Sequence, residues 1–261
     1  MPSTLHDVQR YLDQRLAIAE QSDRSGNGLL VVGREVVGRI GAALNTSRFA
    51  IESAATAGVD LLLVHHAPWQ EIDLHLRTAK LLLLEQHGLS LYAAHEALDH
   101  SMQDSTGGTL AKRLDLTIER SGGDDVAIAT APPVSFEEWL GDIAEALQTR
   151  VRAWPNNPTF RRVALVPGGG GTTTYLAQAA AAGCDTFVTG EGSLFTELFA
   201  REVGLSLVYA SHLATEFPAI CDLAQSVAEA LHVSYVAVPE APWITGGGRA
   251  PLEFESRVRA I

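Results

Sequence analysis

Cysteine is scarce in this sequence. Its 261 residues include only Cys184 and Cys221, and each lies inside an apolar stretch. Two cysteines placed in this way argue against a disulfide-based fold, so we expect buried free thiols in a reducing compartment. The chain must then be stabilised by its core, which a hydrophobic content of 46% makes possible.

Basic residues are also in deficit. The chain has 19 Lys and Arg residues against 31 Asp and Glu residues, which gives a formal net charge of −12. A protein that follows the phosphates of a nucleic acid needs an excess of positive charge, so we expect no nucleic-acid partner. The acidic balance instead fits a small-molecule substrate whose charge is met by a metal ion.

Long apolar runs are absent as well. No run reaches the roughly 18 apolar residues of a membrane span. The N-terminal stretch MPSTLHDVQRYLDQRL lacks the apolar segment of a secretory signal. We therefore expect a cytoplasmic protein with no membrane partner.

Short β-rich runs and helical patterns alternate along the chain. This order is typical of an α/β protein with crossover connections, and α/β is the predicted fold class. The predicted strands are 39–44, 60–64, 89–94, 162–166, 185–188, 205–210 and 233–238, and the predicted helices are 48–57, 74–86, 106–113, 136–147, 172–182, 195–203 and 216–231.

The sequence contains an internal repeat. AGVD at 57–60 runs into LLLV, and AGCD at 182–185 runs into TFVT; further on, GLSLYAAH at 88–95 matches GLSLVYASH at 204–212. Two matches in the same order, with similar elements between them, indicate a duplicated unit. We expect two related α/β lobes with a metal cleft between them. The predicted boundaries are 1–115 for the first lobe, 116–160 for a packed bridging segment and 161–261 for the second lobe.

Unusual polar residues follow the predicted strands of both lobes. His65 and His66 follow the first AG-x-D strand, Glu191 follows its counterpart, and His95 and His212 follow the two GLSL strands. Ligands of open α/β sheets bind outside the carboxyl ends of the strands. We therefore expect these side chains to share one cleft.

The doubled histidine is the strongest sign of a metal site. Burying His65 and His66 after an aliphatic strand is costly unless both imidazoles find partners. The alternative is a pair of histidines with a purely structural role. Metal ligation is the usual reason for two imidazoles at such a position.

His212 and Glu216 stand four residues apart, and two arrangements remain open. On one helix both side chains would lie on the same face. Alternatively, Thr215 caps a helix that begins at Glu216, and His212 lies in the preceding loop. In that case Glu216 would serve as a favourable charge at a helix N-terminus.

His95 and Asp99 repeat this spacing after the first GLSL strand. His100 and Asp104 lie nearby, and their roles stay open. The cluster by itself could be a solvated loop, but its position corresponds to that of His212 in the repeat. An imidazole and carboxylate set without cysteine suits Zn, Fe, Mn or Ni.

A glycine run at 168–171 follows a predicted strand and opens a predicted helix. Its amides could bind an anion, or the glycines could form a tight turn that lets the strand and the helix pack closely. The run lacks the Lys of a P-loop and the spacing of a dinucleotide fingerprint. The sequence also has no G-x-S-x-G nucleophile motif.

These motifs together resemble the NGG-interacting-factor-three-like family, whose members are often described as GTP cyclohydrolase I type 2 homologues. The resemblance covers nearly the whole chain; Glu96 and Ala97 depart from the family pattern, which has Thr and Asn there. It implies the short form without an inserted domain, a hexameric ring, and two divalent metal ions bridged by a carboxylate. The ligands implied by the resemblance are His65, His66, Asp99, His212 and Glu216.

The function predicted from these features is that of a metal-dependent hydrolase, similar to GTP cyclohydrolase type 2, acting on a small substrate with nucleotides among the candidates. Glu191 and His95 are the predicted proton-transfer residues. A non-catalytic metal-handling or regulatory protein would use the same ligands. A pure scaffold protein would bind no metal.

Overall fold

The computed structural model describes residues 3–21, 26–238 and 240. Residue 239 and residues 241–261 of the predicted second lobe lie outside the described part. The fold is α/β, as predicted. The described strands are β1 (Ser3–Thr4), β2 (Asn27–Val31), β3 (Val36–Val37), β4 (Arg39–Asn45), β5 (Leu61–His66), β6 (Ser90–Ala94), β7 (Thr117–Arg120), β8 (Ala127–Thr130), β9 (Arg152–Trp154), β10 (Arg162–Val166), β11 (Thr186–Thr189), β12 (Ser206–Tyr209) and β13 (Ser234–Ala237).

Ten α-helices connect these strands in the described part of the chain. Most begin at a Ser or Thr whose hydroxyl accepts a backbone N–H of the first turn, as Ser47 and Ser135 do. The helices are α1 (Leu5–Arg15), α2 (Arg48–Thr56), α3 (Gln70–Asp73), α4 (Leu76–His87), α5 (Glu96–Asp99), α6 (Thr106–Arg113), α7 (Phe136–Ala146), α8 (Thr173–Ala181), α9 (Leu194–Glu202) and α10 (His212–Leu231).

Two large sheets form the framework. The first has the order β13-β4-β5-β6-β2, in which only β2 runs antiparallel to its neighbour. The second has the order β7-β8-β10-β11-β12-β9. Its strands β10, β11 and β12 are parallel, whereas β8 is antiparallel to β10, β7 to β8 and β9 to β12. Each sheet therefore contains three consecutive parallel strands built from one copy of the repeat.

Helices cover both faces of each sheet. Leu61 and Leu63 of β5 pack against α1 and α10, whereas Leu62 and Val64 pack against α2 and α4. This explains why the strand is apolar at every position and does not alternate. The second sheet is covered by α6 and α7 on one face and by α8 and α9 on the other. Helices α6 and α10 contact each other between the sheets.

The repeat is visible in matching contacts at the start of the central strands. The Asp60 carboxylate accepts the backbone N–H groups of Gly38 and Arg39. The Asp185 carboxylate likewise accepts those of Arg161 and Arg162. Each aspartate thus ties its own strand to the entry of the neighbouring strand, as a duplicated unit predicts.

The predicted bridging segment and the last described strand each join one of the two sheets. The bridging segment supplies β7, β8 and β9 to the second sheet. Strand β13 returns to the first sheet and pairs with β4, although the preceding strand β12 belongs to the second. The boundaries 1–115, 116–160 and 161–261 stay a prediction.

The predicted helix 74–86 corresponds to α4, which spans Leu76–His87. One helix prediction needs correction. The predicted helix 216–231 begins four residues earlier, at His212, because Ser211 and not Thr215 is its N-cap. No helix in the described residues is both long enough and apolar enough to cross a bilayer.

Candidate metal centre

The paired histidines lie at the carboxyl end of β5, in the middle of the first sheet. His65 is fully buried, and His66 is half-buried. Their ring centroids are 4.9 Å apart, although neighbouring residues of a strand ordinarily point to opposite faces. The end of the strand therefore turns both imidazoles toward the same cleft.

The loop after β6 brings a second pair of side chains to this cleft. His95 precedes α5, and its ring centroid is 5.0 Å from that of His65. Asp99, the last residue of α5, has Oδ1 3.7 Å from His65 Nε2. Thr106 Oγ1 donates a hydrogen bond of 2.7 Å to the same oxygen, which fixes the carboxylate.

Helix α10 supplies His212 and Glu216 from its first turns. The two residues lie on one face of the helix, so the first of the two arrangements is correct. Ser211 caps the helix with φ 69°, a conformation that L-residues rarely adopt. Thr215 has a different role from the predicted cap, since its hydroxyl accepts the Gly168 N–H at 2.9 Å.

Glu216 stands at the centre of the cluster, and its two oxygens face different partners. Its Oε1 is 3.8 Å from His65 Nε2. Its Oε2 is 3.3 Å from His66 Nε2 and 3.0 Å from His212 Nε2. One carboxylate therefore contacts imidazoles from both halves of the chain.

The other ring nitrogen of each of these histidines is held by an oxygen acceptor. Nδ1 of His65 bonds to the carbonyl oxygen of Ala94 at 2.8 Å, and Nδ1 of His66 bonds to Asn45 Oδ1 at 2.7 Å. Nδ1 of His212 bonds to Glu191 Oε1 at 2.9 Å. A proton on Nδ1 leaves the Nε2 lone pair free to face the cleft, which is how metal-binding imidazoles are oriented.

Two buried ring nitrogens in the cluster make no hydrogen bond: His65 Nε2 and His95 Nδ1. Leaving such atoms unpaired in a protein interior costs free energy, so their presence calls for a partner. His65, His66 and His95 have ligand atoms within 4.8 Å of one another, as do His66, His212 and Glu216. The donor set therefore fits divalent metal ions.

The pKa values of these groups divide into two kinds. Burial lowers the pKa of His65 to about 4 and holds that of His95 below its usual range. Burial alone would also lower the pKa of His212, but Glu216 and Glu191 outweigh it and raise the value to about 9. Burial would raise the pKa of Glu216, yet the contacts with His212 and His66 lower it. A metal ion must therefore displace a proton from His212.

The glycine run packs against this cluster. Gly168 has φ +63°, and a Cβ atom there would lie only 1.7 Å from Glu216 Oε1. A Cβ on Gly190 would lie 2.6 Å from the Cα atom of His212. The two glycine-rich loops thus let backbone approach Glu216 and His212, which fits the close-packing interpretation of the run.

The structure brings together all five predicted metal ligands and both predicted proton-transfer residues. Neither of the nearby polar residues with open roles joins the group around Glu216. His100 Nε2 donates to Asp125 Oδ1 at 2.6 Å, and Asp104 accepts two hydrogen bonds of 2.7 Å from Arg15. The ligand and catalytic roles themselves stay predictions.

Three contributors escaped the sequence analysis: Asn45, Thr106 and Trp69. Asn45 ends β4, next to β5, so the rule about strand ends could have found it. Thr106 contacts Asp99 across seven residues of sequence, and no motif marks that contact. The ring of Trp69 packs 4.8 Å from that of His95.

An α/β protein with a histidine and carboxylate cluster at its strand ends is a candidate metal-binding protein. The chain belongs to the Duf34/NIF3 (NGG1p interacting factor 3) family, whose sequence pattern matches residues 3–242. The resemblance inferred from the motifs is thereby confirmed.

Curated relatives and solved structures agree with this membership. A GTP cyclohydrolase 1 type 2 homolog from Deinococcus radiodurans is 32% identical over 224 residues, covering 80% of this chain and 83% of its own length. A protein of the same name from Neisseria meningitidis serogroup B is 31% identical over 232 residues, covering 85% of this chain and 92% of its own length. The structure of protein ybgI, described as of unknown function, has a TM-score of 0.82 at 26% identity and covers 91% of this chain and 99% of its own. The structure of TTHA1606 from Thermus thermophilus has a TM-score of 0.78 at 28% identity, and the match covers 93% of this chain and 100% of its own.

Proposed function

We propose that this chain holds two divalent metal ions and uses them to hydrolyse a small substrate, with nucleotides among the candidates. The name of the curated relatives, GTP cyclohydrolase 1 type 2 homolog, supports hydrolysis of this kind. His65, Asp99 and Glu216 Oε1 would hold one ion. His66, His212 and Glu216 Oε2 would hold the other.

The observation that carries this proposal is the arrangement around Glu216. Its two oxygens face imidazoles from different halves of the chain, and each imidazole has its Nδ1 atom fixed by an oxygen acceptor. A carboxylate placed between two sets of ligands is suited to bridge two ions. Oriented imidazoles lose little conformational freedom when they bind a metal.

Two bound ions would supply an activated water and positive charge for a developing oxyanion. The residues of this chain would orient that chemistry. The Trp69 ring packs against those of His66 and His95 and would restrict the movement of both imidazoles. His95, whose buried Nδ1 is unpartnered, is placed to take up or release a proton beside the reacting group.

Two roles are considered for Glu191, as a residue that positions His212 and as a base. Its contact with His212 Nδ1 favours a positioning role, in which it holds the imidazole toward the metal. Its side chain is 64% exposed, which leaves it free to contact water as a base. In Glu191→Gln protein, metal affinity reduced by about tenfold would fit positioning. Turnover reduced by more than about a hundredfold with metal retained would fit a base.

The test of the proposed function is elemental analysis of protein purified without added metal or an affinity tag, followed by turnover assays on a panel that includes GTP and other nucleotides. We expect about two metal equivalents per chain and hydrolysis of at least one panel member. Metal without any turnover would favour a metal-handling protein. Absence of metal would contradict the proposal.

We further propose that the chain forms a homo-oligomer, with a hexamer expected from the family resemblance. Leu194 and Phe195 at the start of α9 are 64% and 73% exposed, and an assembly could cover them. Light scattering at micromolar concentration should give a mass well above that of one chain. A mass of 27.9 kDa would rule the oligomer out.

A further inference from the structure

The two carboxylates of the metal centre are supported unequally by the chain. Glu216 lies near the start of α10, a helix of 20 residues. Asp99 is the last residue of α5, a helix of only four residues, and so short a helix has little stability of its own. The orientation of the Asp99 carboxylate therefore depends on a contact from outside α5.

That contact comes from Thr106. Its Oγ1 donates a hydrogen bond of 2.7 Å to Asp99 Oδ1, and in the described part of the chain no second hydrogen bond reaches this carboxylate. The same oxygen is the one that lies 3.7 Å from His65 Nε2. One hydroxyl group thus fixes the oxygen that would face an ion at His65.

Thr106 is itself held firmly. It is only 3% exposed and is the first residue of α6. Ser105 caps this helix by accepting the Gly108 N–H at 3.1 Å. A Cβ atom on Gly107 would lie 2.7 Å from the Cβ atom of Ala127 in β8, so the first turn of α6 packs directly on the second sheet. The second sheet thereby positions a side chain that follows a strand of the first.

The loop 100–105, between Asp99 and Thr106, is anchored from the other side. Arg15 of α1 donates two hydrogen bonds of 2.7 Å to the Asp104 carboxylate, and the two side chains are only 13% and 15% exposed. Such bidentate pairs fix geometry as well as adding energy. With the loop tied to α1 and α6 packed on the second sheet, the Thr106 hydroxyl stays within reach of Asp99.

We propose that Thr106 is a positioning residue that sets how tightly the chain holds the ion at His65 and Asp99, without affecting the ion at His66 and His212. The inference rests on the two-ion site of the proposed function. A carboxylate that is oriented before the metal arrives loses less conformational freedom on binding. The ion at His65 and Asp99 therefore depends on a single hydroxyl group and should be the first to leave when that group is removed.

The test measures Zn²⁺ affinity by competition with a chromogenic chelator, which gives a dissociation constant for each ion. Thr106→Val replaces the hydroxyl with a methyl group and should weaken one ion by about tenfold to a hundredfold, the usual cost of losing a group that orients a ligand. The other ion should be unaffected, which also shows that the variant is folded. Thr106→Ser keeps the hydroxyl and should restore most of the affinity. In Asp99→Asn protein, Thr106→Val should have no further effect, because the ion on which it acts is already lost.

Thr109→Val is the matched control. Thr109 lies three residues further along α6 and is also buried, at 6% exposure, but it is not among the described residues that line the cleft beside Asp99. This variant should leave both affinities unchanged. Unchanged affinities in Thr106→Val, equal weakening of both ions, or the same loss in Thr109→Val would each overturn the inference. Wild-type protein that takes up no zinc would overturn the proposed function as well, whereas two bound ions without turnover would contradict hydrolysis alone.

Discussion

The segments 39–95 and 162–212 each form three parallel strands in equivalent order, yet the residues at the carboxyl ends of those strands differ. At the entry of the central strands the contacts match, with Asp60 and Asp185 accepting equivalent backbone amides. At the exit, the first segment presents two imidazoles, His65 and His66, where the second presents Glu191. The entry contacts tie neighbouring strands together in both segments, whereas the exit residues of the two segments bring different side chains to the cleft.

The sharpest difference lies after the GLSL strands. His95 and Asp99 in the first segment have the same four-residue spacing as His212 and Glu216 in the second. The first pair lies around a helix of four residues, whereas the second opens a helix of 20 residues. The longer helix directs His212 and Glu216 to the same point, while His95 and Asp99 approach His65 separately.

The largest expected effect is a difference between Asp99 and Glu216 in the number of metal ions that each one holds. Glu216→Gln should abolish binding of both metal ions, because each oxygen faces a different ligand set. Asp99→Asn should remove one ion and leave the other, held by His66 and His212. Elemental analysis after gel filtration checks this. Equal metal loss in the two variants would show that Glu216 does not bridge.

The next expected effect is the opposite pH dependence of the two segments in metal-free protein. The pKa of His65 is lowered from 6.5 to about 4, so the unfolded chain binds a proton that the folded chain rejects. This contribution to stability is lost as the pH falls from about 6.5 towards 4, and His95 acts in the same direction. The pKa of His212 is raised to about 9, so its contribution is present below 6.5 and lost as the pH rises through 9.

Thermal unfolding in the presence of a chelator should therefore show a maximum Tm near neutral pH. His212→Gln should reduce the fall of Tm at alkaline pH and leave the fall at acid pH unchanged. His95→Gln should reduce only the fall of Tm at acid pH. A Tm profile that His212→Gln does not change above pH 7 would contradict the assignment. The titration of His212 can also be followed directly by NMR of its ring protons.

A smaller effect should distinguish the two strand-entry aspartates. Both accept two backbone amides, but Asp185 also accepts the Thr159 hydroxyl and is only 8% exposed. Asp60 has a side chain that is 20% exposed, so water can replace part of its contacts. Asp185→Ala should lower the free energy of unfolding by about 2–3 kcal/mol and Asp60→Ala by about 1 kcal/mol. Urea unfolding measures both, and equal losses would show that burial does not set the difference.

Much of this comparison could be predicted from sequence, because the repeated AG-x-D and GLSL segments mark the strands and hence the strand ends. The helix α1 was also detectable, since Leu5, Val8 and Leu12 are buried at helical spacing behind the N-cap Thr4. The acceptor of His65 was not detectable, because it is a backbone carbonyl, which any residue type provides. The return of β13 to the first sheet was hidden for a related reason: a strand pattern does not specify its partner.

The smallest expected effect concerns Cys184, which occupies the position of Val59 in the AG-x-D segment. Both side chains are buried, at 8% and 1% exposure, and burial raises the pKa of Cys184 to about 11, so its thiol should react slowly at pH 8. Cys184→Val makes the segments alike but adds a methyl group, so we expect a loss of free energy of unfolding near the lower end of the roughly 1–3 kcal/mol that overpacking costs, because Cys184 keeps 8% exposure. The reverse change, Val59→Cys, removes a methyl group that packs against Gly41 and should cost more, because the backbone there leaves no side chain to fill the gap. Urea unfolding of the two variants decides between them. A loss above about 2 kcal/mol for Cys184→Val would mean that the second segment has adapted its packing to the thiol, so that the two segments are equivalent in backbone but not in core.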